Sequence, residues 1–441
     1  MIKKFPLYML LCMMVGLAAC SDDEDDKVDN GYTTYNVSVQ LLYPEDSEVQ
    51  ASAGVSVSLS STSGTAYDAT TDADGKAVFQ VPAGIYAASA SEVRAMDGYS
   101  HVLNGTASGI TVNESWNPDN TVSIEMVESV SGQVVIKELY VGGCQKDDGS
   151  GLYQFDKYVI LYNNSAQTAT LENLCFGMVN PYNANTSTND YVNGELVYEA
   201  DGYIPAGCGI WYAQQDITIE PGKQIVVAMN GAINHTPTYS NSVDLSNADY
   251  CMYDMEDFSS TSYYPAPSEN IPTGHYLLAY KYGQGTGWPL SNSSPAFFIF
   301  TTHDETPVEF ASNPDYHYVA GNNKPTWCCA KVPNEWILDA VEVFNAEKEA
   351  DCSKRLTSGI DSGYTLLTNK QGHTSYRNVD QAATEALPEN DGKLVYGYAY
   401  GNDPSGIDAE ASLANGARII YQDTNNSTND FHERSQASLR D

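Results

Sequence analysis

Tyr35-Asn36-Val37-Ser38-Val39-Gln40-Leu41 alternates apolar and polar side chains without a break. That period of two puts Val37, Val39 and Leu41 on one face of a strand and leaves the other face to water, the pattern of an antiparallel sheet covered on one side. Moving along the chain, Val55-Ser56-Val57-Ser58-Leu59 and Ala77-Val78-Phe79-Gln80-Val81 repeat it. Between them, Thr71-Asp72-Ala73-Asp74-Gly75-Lys76 carries an Asp-Gly pair that supplies the positive φ of a tight hairpin, and Pro82-Ala83-Gly84 is expected to repeat that role. Short alternating runs separated by turn residues predict a β-sandwich over residues 33–128. Asp72 and Asp74 read as turn residues, because too few further oxygen ligands follow for a calcium loop.

A second unit opens near Gln133. Val134-Val135-Ile136-Lys137-Glu138-Leu139-Tyr140 reads as a strand, a polar loop runs from Cys144 to Gly151, and Asp156 to Asn164 reads as the partner strand. Leu171 to Phe176 continues the pattern, and Ile219-Glu220-Pro221-Gly222 before Lys223 to Ala228 has Pro and Gly where a type II turn needs them. Tyr (32) and Gly (34) are abundant while helix-favouring residues are not dominant, which agrees with strands and turns throughout. A short helix is expected within Asp380 to Leu387. The expected fold is therefore all-β: two tandem Ig-like β-sandwiches, 33–128 and 133–441, the second elaborated by long loops at about 180–209 and 236–295. Loops held on a rigid sandwich are where recognition sits.

Three resemblances sharpen this. The order Gly54-Val55-Ser56-Val57, then Thr71 to Gly75, then Phe79-x-Val81-Pro82-Ala83-Gly84-Ile85-Tyr86 resembles the carboxypeptidase regulatory or transthyretin-like sandwich, a domain without activity of its own. The Ile136-x-Glu138 strand, the Tyr158-Val159-Ile160-Leu161-Tyr162-Asn163 strand and the Leu171-x-x-Leu174 step resemble the opening of a lamin-tail-like Ig fold. Asn230 to Thr236, Ser242 to Tyr250, Pro295 to Phe300 and Asp423-Thr424-Asn425-Asn426-Ser427 resemble the DUF4876 family of Bacteroidetes lipoproteins, which implies kinship from about Gln133 to Asp441 and no assigned activity.

At the N-terminus, Lys3 and Lys4 precede an apolar stretch from Pro6 to Leu17 that is too short for a membrane span. Leu17-Ala18-Ala19-Cys20 follows, and this resembles the lipobox of bacterial lipoproteins. The resemblance implies a signal peptide over 1–19 and acylation, palmitate included, of Cys20. The run Ser21-Asp22-Asp23-Glu24-Asp25-Asp26 resembles the signal that exports Bacteroidetes lipoproteins to the outer face of the outer membrane. Residues 20–32 then form an acidic, disordered tether, repelled by the headgroup layer. Two or more acyl chains hold a protein on a bilayer where one does so only marginally.

Fifty-seven acids against twenty-one Lys and Arg give a net charge of −36, which removes nucleic acid as a partner. No G-x-S-x-G elbow occurs, and the seven histidines show neither H-x-x-x-H nor H-E-x-x-H spacing. Among so many acids no local pattern selects a glycosidase pair. Beyond Cys12 and Cys20 seven cysteines remain, an odd number that leaves at least one thiol unpaired, and none has C-x2-C spacing. Asp423, Asn425 and Ser427 sit at the first three ligand positions of a calcium loop, but Thr428 stands where the turn needs Gly and Arg434 where it needs Glu, so an EF-hand is rejected. A turn in which Asp423 and Asp430 bind backbone amides is the main reading, and a looser Ca²⁺ site at Asp423, Asn425, Ser427 and Asp430 is its alternative.

Trp211 and Trp336 lie in apolar runs and read as core. Trp288 and Trp327 lie in loop-like contexts and are the candidates for a sugar-stacking platform, with tyrosines such as Tyr153, Tyr182, Tyr263 and Tyr264. No catalytic residue is assigned. The expected function is that of a non-enzymatic surface lipoprotein: a binding or accessory module for a glycan or peptide, partnered with a TonB-dependent transporter for nutrient capture. The alternatives are a cell-surface hydrolase of glycans or peptides, and metal or haem capture resting on acidity and histidines.

Overall fold

The computed structural model describes residues 33–440 apart from 46, 97–98, 187–189, 193–194, 320–323 and 402. The expected signal peptide, Cys20, the acids Ser21 to Asp26 and the tether lie outside the described residues. The described residues form two compact units, one within 33–42, 51–90 and 105–126, the other within 43–50, 91–104 and 127–440. Segments 43–50 and 91–104, which the sequence assigns to the first module, thus belong with the second.

The first unit is built on β1 (Thr34–Leu42), β2 (Ser56–Ser61), β3 (Ala66–Thr70), β4 (Lys76–Pro82), residues 84–90 of β5 (Gly84–Met96), residues 105–112 of β6 (Tyr99–Val112), and β7 (Thr121–Glu125). One sheet runs β4-β1-β7, with β1 antiparallel to β4 and parallel to β7; β3, β2 and β5 are successive strands of another. The alternation expected from sequence is realised: Val37, Val39, Val57, Leu59, Ala77, Phe79 and Val81 are all buried. Both Gly-containing connections behave differently from hairpins. Gly75 does take φ 76°, and Asp72 Oδ1 accepts from the amides of Asp74 and Lys76 at 3.0 Å, but the turn carries the chain from the β2 sheet to the β1 sheet. Pro82-Ala83-Gly84 carries it back, and Gly84 is not in the left-handed region. The ring of Tyr86, whose hydroxyl donates to Pro82 O at 2.8 Å, lies 3.1 Å from where a Gly84 Cβ would be.

The second unit begins with β8 (Val127–Gly132), β9 (Val134–Tyr140), β10 (Cys144–Gln145), β11 (Leu152–Tyr153), β12 (Tyr158–Asn163), β13 (Ala169–Leu171) and β14 (Leu174–Met178). It continues through β15 (Tyr191–Val192), β16 (Glu195–Leu196), β17 (Tyr203–Gly207), β18 (Gly209–Tyr212), β19 (Ile217–Ile219), β20 (Gln224–Ala228), β21 (Tyr250–Met252) and β22 (Tyr276–Lys281). Then come β23 (Ala296–Thr301), α1 (Pro307–Ser312), β24 (His317–Tyr318), β25 (Cys329–Pro333), β26 (Ile337–Asn345), β27 (Thr365–Leu367) and β28 (Thr374–Arg377). The chain closes with α2 (Gln381–Glu385), α3 (Ala409–Ala414), α4 (Ser427–Asp430) and β29 (Phe431–Arg434). Asp380 caps α2 by accepting from the Ala383 amide, inside the span expected for a helix.

Twelve of these strands make one sheet in the order β27-β26-β23-β14-β18-β22-β21-β20-β12-β9-β28-β29. It is nearly closed on itself, and Glu433 of β29 accepts from the Thr368 amide just past β27 at 2.7 Å. Its strands are buried on both faces; β9, β12, β14, β23, β26 and β28 show no exposed residue. The inward positions, including Val134, Ile136, Val159, Leu161, Phe176, Trp211, Val227, Phe297 and Val341, share one core. Three covers close the outside. Residues 196–206 with Phe310, Ala330, Val332 and Trp336 pack over Cys175, Ile210, Phe298 and Phe300. Val243, Leu245, Ala248 and Ile271 pack over Tyr140, Tyr158 and Ile160. Ile407, Ala409, Ile419 and Tyr421 pack over Val135, Tyr162 and Tyr376.

The stretch 236–295, expected as loop, thus contributes two central strands: β21 runs parallel to both β20 and β22 and joins the two halves of the sheet. β21 has only three residues, too few to show a period in the sequence. The Pro221-Gly222 turn forms as expected, with Gly222 at φ 68° and Lys223 N donating to Glu220 O at 3.0 Å. All seven described cysteines are free thiols.

Candidate functional site

The four residues of the possible ion loop face other partners. Asp430 accepts from Thr424 N and Oγ1, both at 2.8 Å, and from Asn426 N at 3.2 Å. Asp423 lies 3.3 Å from Arg377, a buried guanidinium that also pairs with Asp339. Ser427 N and Oγ donate to Asp361 at 2.7 and 2.6 Å, and Asn425, at φ 53°, offers its carbonyl to Ser362 N. Arg377 thus already supplies the positive charge a cation would bring. Among the described residues no group of three or more His, Cys, Asp or Glu has the geometry to hold a metal.

The two tryptophans proposed as a platform part company. Trp288 is buried, its Nε1 donating to Gly209 O at 3.0 Å and its ring edge-on to Phe297. Trp327 stays 37% exposed on a single 3-10 turn. Trp211 and Trp336 are buried, as their apolar surroundings predict.

An aromatic surface does form elsewhere, around Tyr153. A cavity of about 420 Å³ is lined by Lys146, Tyr153, Phe155, His235 and Tyr239, with Asn234, Thr238, Thr261 and Ser262 at its polar edge. The Tyr153 and Tyr239 rings stack at 3.9 Å; Phe155 meets Tyr153 edge-on at 5.9 Å and Tyr263 at 5.0 Å. Three segments build it. The β10–β11 hairpin bends at Gly149, φ 69°, and Asp147 in its loop accepts from Ser240 N at 2.9 Å, tying it to the 236–241 loop. Gly231 takes φ 53° where a Cβ would strike Phe155 O at 2.4 Å and the His235 ring at 2.6 Å, so only glycine lets that ring settle against the backbone. Tyr263, whose carbonyl accepts from Gly231 N at 2.9 Å, brings in the third segment.

Behind the rings lies a polar floor. His235 Nε2 donates to Gly231 O at 2.6 Å, which leaves Nδ1 to accept from the Tyr153 hydroxyl at 2.8 Å. That network assigns a neutral ring, and burial holds its pKa below the ordinary histidine value. Asp156, fully buried, accepts from Ser242 Oγ at 2.6 Å and Tyr140 OH at 3.2 Å, while its Oδ1 has no partner. Burial pushes its carboxyl above the usual range. Lys157 is buried beside it and donates to Leu290 O at 2.6 Å, its amine pulled down to about 8 by burial. Cys144 is pushed up to about 12 by burial and then by the Asp156 charge, so it is a thiol and not a nucleophilic thiolate.

This arrangement offers flat apolar rings, a few hydroxyls, one cation and no lining carboxylate. It can bind, whereas two-carboxylate hydrolysis finds neither its acid nor its base there. A larger polar cleft, about 560 Å³, is lined by Glu48, Glu172, His303, Asp304 and several threonines but holds no Tyr or Trp. The sequence pointed to Tyr153 and Tyr263 but not to His235, Tyr239 or Asp156. Tyr153 and His235 are 82 residues apart, and no local spacing reports a contact of that separation.

Residues 220–397 match a protein family described as protein of unknown function (DUF4876). The chain is also similar to a solved structure, that of a DUF4876 family protein from Bacteroides thetaiotaomicron VPI-5482, with a TM-score of 0.52 and 20% identity over 90% of this chain and 94% of that one. At that identity the likeness is one of fold. No curated protein matches. The family match takes in His235 and Tyr239 but not the β10–β11 hairpin that completes the cavity.

Proposed function

We propose that this chain is a non-enzymatic binding lipoprotein, anchored through Cys20 to the outer membrane and facing outward, and that the Tyr153–Tyr239 cavity is where it takes its ligand. The observation that carries the reading is the lining: stacked tyrosines beside hydroxyls and a lysine, held by three tied segments, with no carboxylate among the lining residues. Aromatic faces pack on the C–H faces of sugar rings and on peptide side chains alike, so a glycan or a short peptide suits this chemistry. The acidic run after Cys20 supports outward display, and capture at the surface gives the chain its place as an accessory to a TonB-dependent transporter. No helix among the described residues is long and apolar enough to cross a membrane.

Glycan and peptide arrays probed with the purified protein are expected to yield a binder. Replacing Tyr239 by Ala should weaken it about tenfold or more, the worth of one stacked aromatic contact. Retained affinity in that variant, or a folded protein silent on both arrays, would sink the assignment. For the anchor, Cys20→Ala should move the chain from the membrane fraction to the soluble one. Protease added to intact cells should degrade the wild type; full protection would place it on the inner side.

A further inference from the structure

Lys137 is a fully buried lysine at the site of a strand irregularity. In the pairing of β9 with β12, Ile160 opposes Glu138 and Leu161 opposes Ile136, so Lys137 is the extra residue of a β-bulge. Bulges re-aim a side chain, and this one sends the Lys137 amine to two acceptors at once. Its Nζ lies 2.6 Å from Oε1 of Gln224, at the start of β20, and 2.6 Å from Oε1 of Glu410, in the first turn of α3. The Tyr376 hydroxyl donates to the same Glu410 oxygen at 2.7 Å, and the Tyr376 ring lies 5.5 Å from Nζ. An amine, a carboxamide and a carboxylate therefore meet in one place, and a cavity of about 490 Å³ opens beside Gln224 and Glu410.

We infer that Lys137 and Gln224 are joined by a self-formed amide bond, with Glu410 as the proton carrier. Glu410 takes a proton from the Lys137 ammonium, and the free amine adds to Cδ of Gln224. The tetrahedral adduct passes its surplus nitrogen proton through Glu410 to the carboxamide nitrogen. The Cδ–Nε2 bond breaks, ammonia leaves through the adjoining cavity with the remaining proton as ammonium, and Glu410 is again a carboxylate. One C–N bond forms and one breaks, and no oxidant or outside reactant is needed. The event is required only once per molecule.

The burial favours this over a plain ion pair. Lys137 is 0% exposed while the Glu410 side chain is 36% exposed, so the ammonium has given up more of its water than the carboxylate has. Amide formation removes the buried charge and leaves the carboxylate where water reaches it. The bond would tie β9 to β20 across β12, which lies between them in the sheet.

Digestion of the full chain followed by mass spectrometry tests the bond. The expected product is a branched peptide joining the Lys137 and Gln224 segments, lighter than the two together by one ammonia. It should be lost in Lys137→Arg and in Glu410→Gln, each checked for folding by near-ultraviolet circular dichroism. Recovery of the two segments as separate, unmodified peptides from folded wild-type protein would overturn the inference. Persistence of the branched peptide in Glu410→Gln would overturn the role given to Glu410.

Discussion

His432 has room for only one proton. Its Nδ1 donates to Asn378 Oδ1 at 2.6 Å, and its Nε2 accepts from Arg434 Nε at 3.3 Å, so a second proton would have to displace a guanidinium. Burial, and then the charge of Arg434, pull its pKa to about 3. The unfolded chain takes up that proton near the ordinary histidine value of about 6.5. The contribution to stability is therefore full above about 6.5 and is lost as pH falls toward 3. In urea titrations at stepped pH, wild type should lose about 1.4 kcal/mol per pH unit more than His432→Gln below that point. Parallel curves for the two proteins would contradict the neutral assignment. Nothing in the sequence around His432 shows this, because Asn378 stands fifty-four residues away.

At the scale of elements, local pattern was readable and pairing was not. Val37 to Leu41 and Val134 to Tyr140 announced strands, and Asp380 to Leu387 announced a short helix. Leu171 to Phe176, which reads as one run, is split into β13 and β14 at Asn173, which takes φ 53°. Gly177 in β14 shows a requirement set entirely by a neighbour. It pairs with Phe298 of β23, and a Cβ there would come within 2.3 Å of that ring. Gly177→Ala should cost about 1–3 kcal/mol by overpacking, and adding Phe298→Leu should restore part of it. Thermal unfolding of the single and double variants measures this, and strictly additive losses would remove the ring as the cause.

Over the whole molecule, a net charge of −36 repels itself in the compact state. Salt screens exposed charges over distances near the Debye length, so the melting temperature should rise as sodium chloride is added at neutral pH. A fall with salt would mean that surface ion pairs outweigh the repulsion. Among the described residues such pairs are few, and two of them, Arg355–Glu342 and Arg377–Asp339, are buried where salt reaches little.

By itself the sequence determined the class of this protein and those strands that alternate clearly, because alternation and turn residues act over a few positions and depend only on neighbours in the chain. It determined in the same way the apolar stretch ending at Cys20 and the acids beyond it. The tertiary structure alone decided that twelve strands share one nearly closed sheet with both faces covered, that 236–295 supplies two of them, and that Trp288 is core while Tyr153 and Tyr239 meet at a cavity. It also brought Lys137, Gln224 and Glu410 to one point. The reason is physical: burial and hydrogen bonding reward contacts between residues tens to hundreds of positions apart, and such contacts leave no period in the chain.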